Sequence, residues 1–238
     1  MRASFVENVM VSQPGFLHSQ AAFGTSLPFE ISQEALKASW LALLACSSGD
    51  LPVNVSALCH SYGIYVRSYV QAQNLLRLLH LEQSALNSAG FSFFWRGEHW
   101  ILYDEDRPLD QLRFTVAHEL GHCLLHHLDG QSSLLDAHSS FSLDALLMEQ
   151  QADLFAAALL SPACVLWGRG VTQAEQIAAL CCIPSAAAEC RMQRLHLLYL
   201  WNERFQSAYG QGFLMASPLE RRVYQKFVES TKNIGLIS

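Results

Sequence analysis

The chain contains an H-E-x-x-H sequence, His118-Glu119-Leu120-Gly121-His122, inside a run that predicts an α-helix. Residues four apart lie on one helix face, so His118 and His122 can direct imidazole nitrogens at one metal ion. Glu119 is rotated by about 100° from His118, beside the ion, where a carboxylate can accept and deliver a proton. Zinc accepts such ligands and keeps a position open for water. The spacing predicts one catalytic Zn²⁺ per chain, with Glu119 as general base.

A catalytic zinc ion needs a third protein ligand. A third histidine six residues after His122 is excluded, because Leu128 occupies that position. The other source is the next predicted helix, in which Glu149 is the only acidic residue within 145–152. With Glu149 as ligand, Asp153 on the same face is placed to accept the second ring N–H of a ligand histidine. A solvent-exposed pair of carboxylates on a surface helix is the alternative for these two residues.

Three more histidines lie close to the motif. If the helix continues to near Gly130, helical geometry places His126 about 80° from His118, toward the same cleft, and directs His127 away from it. His138 falls in a polar loop of about fifteen residues and is a candidate donor to a transition-state oxyanion. A surface or supporting role is the alternative for each, and the sequence assigns none of them to the site.

The pattern of elements predicts an α+β fold that is predominantly helical. Helices are predicted from Ser32 to Gly49, from Pro52 to Gly63 and over the two runs around the site. Two aromatic runs separated by Arg96-Gly97-Glu98 predict a β-hairpin directly before the H-E-x-x-H helix, and Pro108 is typical of that helix's first turn. Gly121 inside the helix costs about 1 kcal/mol relative to alanine, which predicts close approach of a neighbouring element.

Three segments are predicted along the chain. Residues 1–30 form a loosely ordered lead-in, residues 31–200 the main domain, and residues 201–238 a tail with one more helix from about Pro218 to Glu229. The apolar share of 51% with 15% charged residues is typical of a packed globular protein. The sequence shows neither a signal peptide nor an apolar run of about 20 residues, which predicts a chain without a membrane segment.

Cysteine use and net charge indicate compartment and partner. Seven cysteines without a C-x-x-C pair favour reduced thiols in a cytoplasmic protein. The formal net charge of −6 argues against non-specific binding to nucleic acid or to an anionic membrane. The expected partner is therefore another protein.

The run RFTVAHELGHCLLHH followed by EQQADLFAAALLSP resembles the ImmA/IrrE family of zinc metallo-endopeptidases over about residues 50–200. The positions of this chain that match the family's paired motifs include His118, Glu119, His122, Glu149 and Asp153. Gln151 departs from the family, which often carries a second glutamate there, but it is not a ligand position in a thermolysin-like arrangement. The resemblance implies a zincin-like domain with a small β-sheet or hairpin packed on the active-site helix.

The resemblance also implies a function. Characterised members act in the cytoplasm and cleave helix-turn-helix repressors, so it implies a protein substrate and a role in transcription regulation. The alternative is a DNA-binding or partner-binding regulator with a non-catalytic zinc site. Residues 172–200 look like a helix-turn-helix pair with Arg191, Arg194 and His196 on its second helix. Glu119 argues against that alternative, because a purely structural zinc site has no use for a general base.

Overall fold

The computed structural model describes residues 10–11, 29–128, 143–209, 214 and 216–229. Over these ranges the chain forms four strands, β1 (Met10–Val11), β2 (Tyr65–Ser68), β3 (Gly90–Trp95) and β4 (Glu98–Tyr103). The helices are α1 (Phe29–Ala45), α2 (Val55–Ser61), α3 (Gln73–Leu79), α4 (Glu82–Asn87), α5 (Leu109–Leu124), α6 (Leu143–Leu160), α7 (Ala163–Gly168), α8 (Ala174–Cys181), α9 (Ser185–Tyr209) and α10 (Pro218–Tyr224), the last followed by a π-helical turn (Gln225–Glu229). This mainly helical architecture with one small sheet confirms the predicted α+β class.

The four strands form one sheet in the order β1-β3-β4-β2. Strands β3 and β4 pair antiparallel as the predicted hairpin, with Gly90 opposite Tyr103 and Trp95 opposite Glu98. Arg96 and Gly97 alone make the turn, both with positive φ, as two-residue hairpin turns require. Glu98 therefore belongs to β4 and not to the turn. Strand β1 pairs antiparallel with β3, and β2 pairs parallel with β4.

Helix α5 lies at the centre, packed against β3 and β4 on one side and against α6 on another. A Cβ added at Gly121 would lie 3.0 Å from Phe155 Cδ1 and 3.2 Å from the Cα of Ala152. Only a residue without a side chain lets α6 approach α5 this closely, as the helix-interior glycine predicts. Helix α1 packs against the same α6, so α6 is covered by α5 and by α1.

Helix α5 ends at Leu124, six residues before the predicted end near Gly130. His126 takes a left-handed conformation with φ 61°, and the His127 N–H donates to the carbonyl of His122 at 3.1 Å. These are the features of a Schellman C-cap, in which the left-handed position usually holds glycine. Because histidine stands there instead, the sequence carries no recognisable stop signal at this point.

Other helix boundaries also differ from the predictions. Helix α1 begins at Phe29, before Ser32, and α2 begins at Val55, where the Oδ1 of Asn54 accepts the Ala57 N–H at 3.0 Å. Asn54 is therefore the N-cap, because its side chain accepts a hydrogen bond from a backbone N–H of the first helical turn. Pro52, where the helix is predicted to begin, has no side-chain acceptor for this purpose. Helix α9 continues to Tyr209, beyond residue 200, where the helix-turn-helix pair is predicted to end. The last helix starts at Pro218 as predicted.

By length and composition alone, one stretch of the described chain, Leu143–Gly168, would be long enough and apolar enough to cross a membrane. It includes α6 and α7, and 78% of its most apolar window is buried inside the protein. Ala152, Phe155 and Leu159 in α6 have no exposed surface. The stretch is apolar on all sides because α5 and α1 both pack on it, as expected of a core helix.

Candidate metal centre

The predicted ligands come together where α6 crosses α5. Helix α5 supplies His118 and His122, and α6 supplies Glu149. His118 Nε2 lies 3.0 Å from His122 Nε2 and 3.2 Å from Glu149 Oε2, and His122 Nε2 lies 3.4 Å from Glu149 Oε1. Both histidines are buried and Glu149 is partly exposed. The site therefore sits at the edge of the core with one side toward the exterior.

These separations fit a single bound cation. Zinc ligands of the nitrogen and oxygen type lie about 2.0–2.1 Å from the ion, so neighbouring ligands in a tetrahedron are about 3.3 Å apart. The three separations of 3.0, 3.2 and 3.4 Å fall around that value. The donor set of two imidazoles and one carboxylate is also one that catalytic zinc sites use. The residues present thus fit a divalent metal with one ligand position left over.

Asp153 lies where the sequence predicts. Its Oδ1 is 2.9 Å from His118 Nδ1, on the side of the ring opposite the ligand triad. A carboxylate only accepts hydrogen bonds, so His118 donates through Nδ1, and in the neutral ring Nε2 is then the nitrogen with the lone pair that a metal ion can use. The same contact fixes the orientation of the His118 ring.

The charges at the site favour binding of a cation. Burial alone would lower the pKa of His118, but hydrogen bonds and charge from Asp153 and Glu149 raise it well above its usual value. Burial would conversely raise the pKa of Glu149, but the hydrogen bonds from His118 and His122 hold it well below its usual range. The arrangement that attracts a proton to His118 attracts a metal cation in the same way, and the two compete.

Glu119 is buried, 1% exposed, next to His118 in α5. Its Oε2 accepts a hydrogen bond of 2.8 Å from Ser92 Oγ, a fully buried hydroxyl on β3. Sequence reasoning did not assign Ser92 to the site. The signal was present, because Ser92 is the polar residue of the otherwise apolar strand run Phe91–Trp95.

The prediction that His127 points away from the site is wrong. Because the chain turns at His126, the His127 side chain folds back and is 6% exposed. Its Nδ1 lies 3.0 Å from His122 Nδ1, and its Nε2 lies 3.0 Å from Gln151 Oε1. Burial, and then the neighbouring charge of His122, lowers the pKa of His127 to about 4, so the ring is neutral near neutral pH.

The remaining candidates have different outcomes. His126 is exposed and lies beyond the end of α5, so the helical angle that placed it near His118 does not apply. His138 lies outside the described residues.

Arg191, a candidate for DNA contact, is buried and donates through Nε and Nη2 to the carbonyl of Ser161 at 3.0 and 2.7 Å. This removes one of the three basic residues on which the DNA-binding alternative depends, and leaves Arg194 and His196 exposed.

A helix with two histidines that faces a carboxylate on the next helix, over a small sheet, defines a zincin-like fold with a candidate metallopeptidase centre. Comparison with protein families matches residues 76–193 to the IrrE N-terminal-like domain, Peptidase_M78. This match confirms the predicted ImmA/IrrE relationship for residues 76–193 and supports a peptidase-type function. No curated protein sequence matches the chain.

Proposed function

We propose that this chain is a zinc-dependent endopeptidase that hydrolyses a peptide bond in a protein substrate. The observation that carries the proposal is the convergence of His118, His122 and Glu149 on one point, with the ligand atoms of all three within 4.8 Å of one another. The match to a peptidase family supports the same reaction class. His118, His122 and Glu149 are the residues that would hold the ion.

The bound ion would supply Lewis acidity toward the peptide carbonyl and would make water acidic enough to react near neutral pH. Glu119 has the role of general base, taking a proton from the attacking water and passing it to the leaving amine. The Ser92 hydroxyl holds Oε2 of Glu119, which restricts how the carboxylate can rotate. Asp153 keeps the His118 ring in the orientation that presents Nε2. Each of these residues therefore has one defined part in binding or proton transfer.

The substrate that we propose is a helix-turn-helix transcriptional repressor, cleaved in the cytoplasm. The resemblance to characterised family members supports this choice. The net charge of −6 fits recognition of a protein with a basic surface better than direct binding of DNA. It also gives no support to binding of an anionic membrane.

The test compares the protein N-termini produced in a lysate of the native host by the wild-type chain and by Glu119→Gln. The wild type should generate new internal N-termini, and Glu119→Gln should generate none, because it keeps the ligands but lacks the base. Cleavage should also stop in His122→Ala. Identical sets of N-termini for wild type and Glu119→Gln would contradict the proposal.

A further inference from the structure

The contacts behind His122 form a continuous line of hydrogen bonds that reaches α1. Gln151 Nε2 lies 3.5 Å from Glu34 Oε2. The Glu34 carboxylate only accepts hydrogen bonds, so the amide nitrogen of Gln151 must face it. This fixes the side-chain amide of Gln151 with its oxygen toward His127.

The orientation of Gln151 determines where the protons of His127 lie. Gln151 Oε1 only accepts, so His127 Nε2, 3.0 Å away, carries a hydrogen. A neutral imidazole has one N–H, so His127 Nδ1 is a lone pair. That lone pair lies 3.0 Å from His122 Nδ1. His122 therefore donates through Nδ1, and its Nε2 is left as a lone pair.

The opposite orientation of the amide would damage the centre. If Gln151 presented its NH₂ group to His127, the hydrogen of His127 would move to Nδ1 and donate to His122 Nδ1. His122 would then carry its own hydrogen on Nε2, pointing at His118 Nε2 and Glu149. A protonated nitrogen cannot bind a metal ion, so one of the three ligands would be lost.

We propose that His127 and Gln151, oriented by Glu34, are positioning residues that hold His122 in the tautomer whose Nε2 binds the metal ion. The proposal rests on the metal centre put forward above. His118 has the equivalent support from Asp153, so each ligand histidine has a fixed acceptor behind it. The two supports differ in charge, because a carboxylate backs His118 and a neutral ring backs His122.

The first test determines the tautomer of His122 by NMR of its ring nitrogens, in the full-length, metal-free chain labelled with ¹⁵N-histidine. The His122 signals are assigned by their absence from His122→Asn. The proposal predicts a protonated Nδ1 and an unprotonated Nε2 at His122, and in His127→Leu a shift of population toward the Nε2–H form. A wild-type His122 with its hydrogen on Nε2 would overturn the proposal.

The second test uses a matched pair at position 127 and measures zinc affinity by competition with a chromophoric chelator. His127→Leu removes the acceptor, and His127→Asn keeps an oxygen near the place of Nδ1 at similar side-chain size. Supporting residues of this kind typically contribute 10–100-fold to metal affinity, so we expect about that loss in His127→Leu and recovery in His127→Asn. His196→Leu, at an exposed histidine of α9, is the control and should bind as the wild type does.

An equal loss of zinc affinity in His127→Leu and His127→Asn would show a role in packing alone and would overturn the proposal. Wild-type zinc affinity in both variants would overturn it as well. If His127→Leu does not fold, Gln151→Met and the exchanged pair Glu34→Gln with Gln151→Glu make the same comparison. Gln151→Met should lose affinity, and the exchanged pair, which again presents an acceptor to His127, should keep it. A wild-type chain that binds no zinc would refute the metal centre itself, whereas the tautomer measurement would still decide the hydrogen-bond order.

Discussion

Three of the polar side chains expected to act at the centre are each held by a second polar side chain. His118 is held by Asp153, His122 by His127, and Glu119 by Ser92. Such contacts lower the number of orientations that a ligand or base can adopt. The side chain therefore loses less conformational entropy when it reaches the reactive geometry. The effect of removing them should therefore appear in rate or affinity more than in folding.

Ser92→Ala tests this at the general base. The loss of the 2.8 Å hydrogen bond frees the Glu119 carboxylate to rotate, so we expect kcat to fall about tenfold with zinc content unchanged. Peptide cleavage at saturating substrate and metal analysis of the same sample measure the two effects. Ser92→Thr, which keeps the hydroxyl, is the matched comparison. A Ser92→Ala variant with full activity would show that the hydroxyl does not position the base.

The sequence predicts residues of the centre well where the relationship is local. His118, Glu119 and His122 share one helix, so their geometry follows from 3.6 residues per turn. Ser92, His127 and Gln151 could not be placed in this way. Ser92 reaches Glu119 from a different element, and His127 reaches His122 only because the chain turns where a glycine would ordinarily signal the turn.

At the level of secondary structure, the close contact of α5 and α6 brings the two halves of the site together. Gly121 stands on α5 between His118 and His122 and faces Ala152 and Phe155 on α6. The same contact that seats Phe155 in the core sets the distance of Glu149 from the histidines. Stability and metal binding are therefore linked through this one helix pair.

Gly121→Leu should destabilise the fold and weaken the site together. The added side chain would begin within 3.0 Å of Phe155 and 3.2 Å of the α6 backbone, and overpacking of this kind costs about 1–3 kcal/mol or more. Chemical denaturation of the metal-free chain measures the loss, and chelator competition measures zinc affinity. Gly121→Ala should lie between wild type and Gly121→Leu. A Gly121→Leu chain with wild-type stability would contradict the close approach as a requirement of the fold.

The order and type of most elements follow from sequence pattern, and the errors have local causes. The hairpin of β3 and β4, α5, α6 and α10 are all recognisable, because each combines an apolar run with a proline or glycine near one end. Helix α7 was not predicted, since its six residues are too few to show a period. The sheet order and the parallel pairing of β2 with β4 depend on long-range contacts that no local pattern specifies.

Across the whole molecule, the C-terminal residues 218–229 are tied to two other helices, α1 and α7. Lys226 Nζ donates to the carbonyls of Leu43, Leu44 and Cys46 at the end of α1. Glu220 on α10 is buried, and its backbone carbonyl accepts a weak hydrogen bond from Cys164 Sγ at 3.7 Å. Residues outside the family match thus help to hold α1, which supplies Glu34.

The buried carboxyl group of Glu220 makes the free energy of unfolding of this chain depend on pH. Burial raises the pKa of Glu220 to about 8, although the charge of Arg191 opposes the shift. A carboxyl group whose pKa is raised on folding stabilises the fold below its unfolded value of about 4.5, and that stability is lost as the pH rises through 8. Glu220→Gln should remove this dependence and raise the free energy of unfolding by about 1–3 kcal/mol at pH 8.

Denaturation of wild type and Glu220→Gln at pH 5 and pH 8 measures this effect. The two proteins should have similar stability at pH 5 and should diverge at pH 8, with the variant more stable. Glu175→Gln, at a residue in the first turn of α8, is a control for removal of a carboxylate elsewhere. Parallel profiles for wild type and Glu220→Gln would show that Glu220 titrates normally in the folded chain.

The central claim is that His118, His122 and Glu149 bind one catalytic zinc ion beside a base that is not a ligand. Metal analysis of chains purified without chelators tests it most directly. The wild type and Glu119→Gln should each contain about one zinc ion per chain, and His122→Ala and Glu149→Ala should contain much less. A wild-type chain without metal, or loss of the metal in Glu119→Gln, would contradict this assignment of ligands and base.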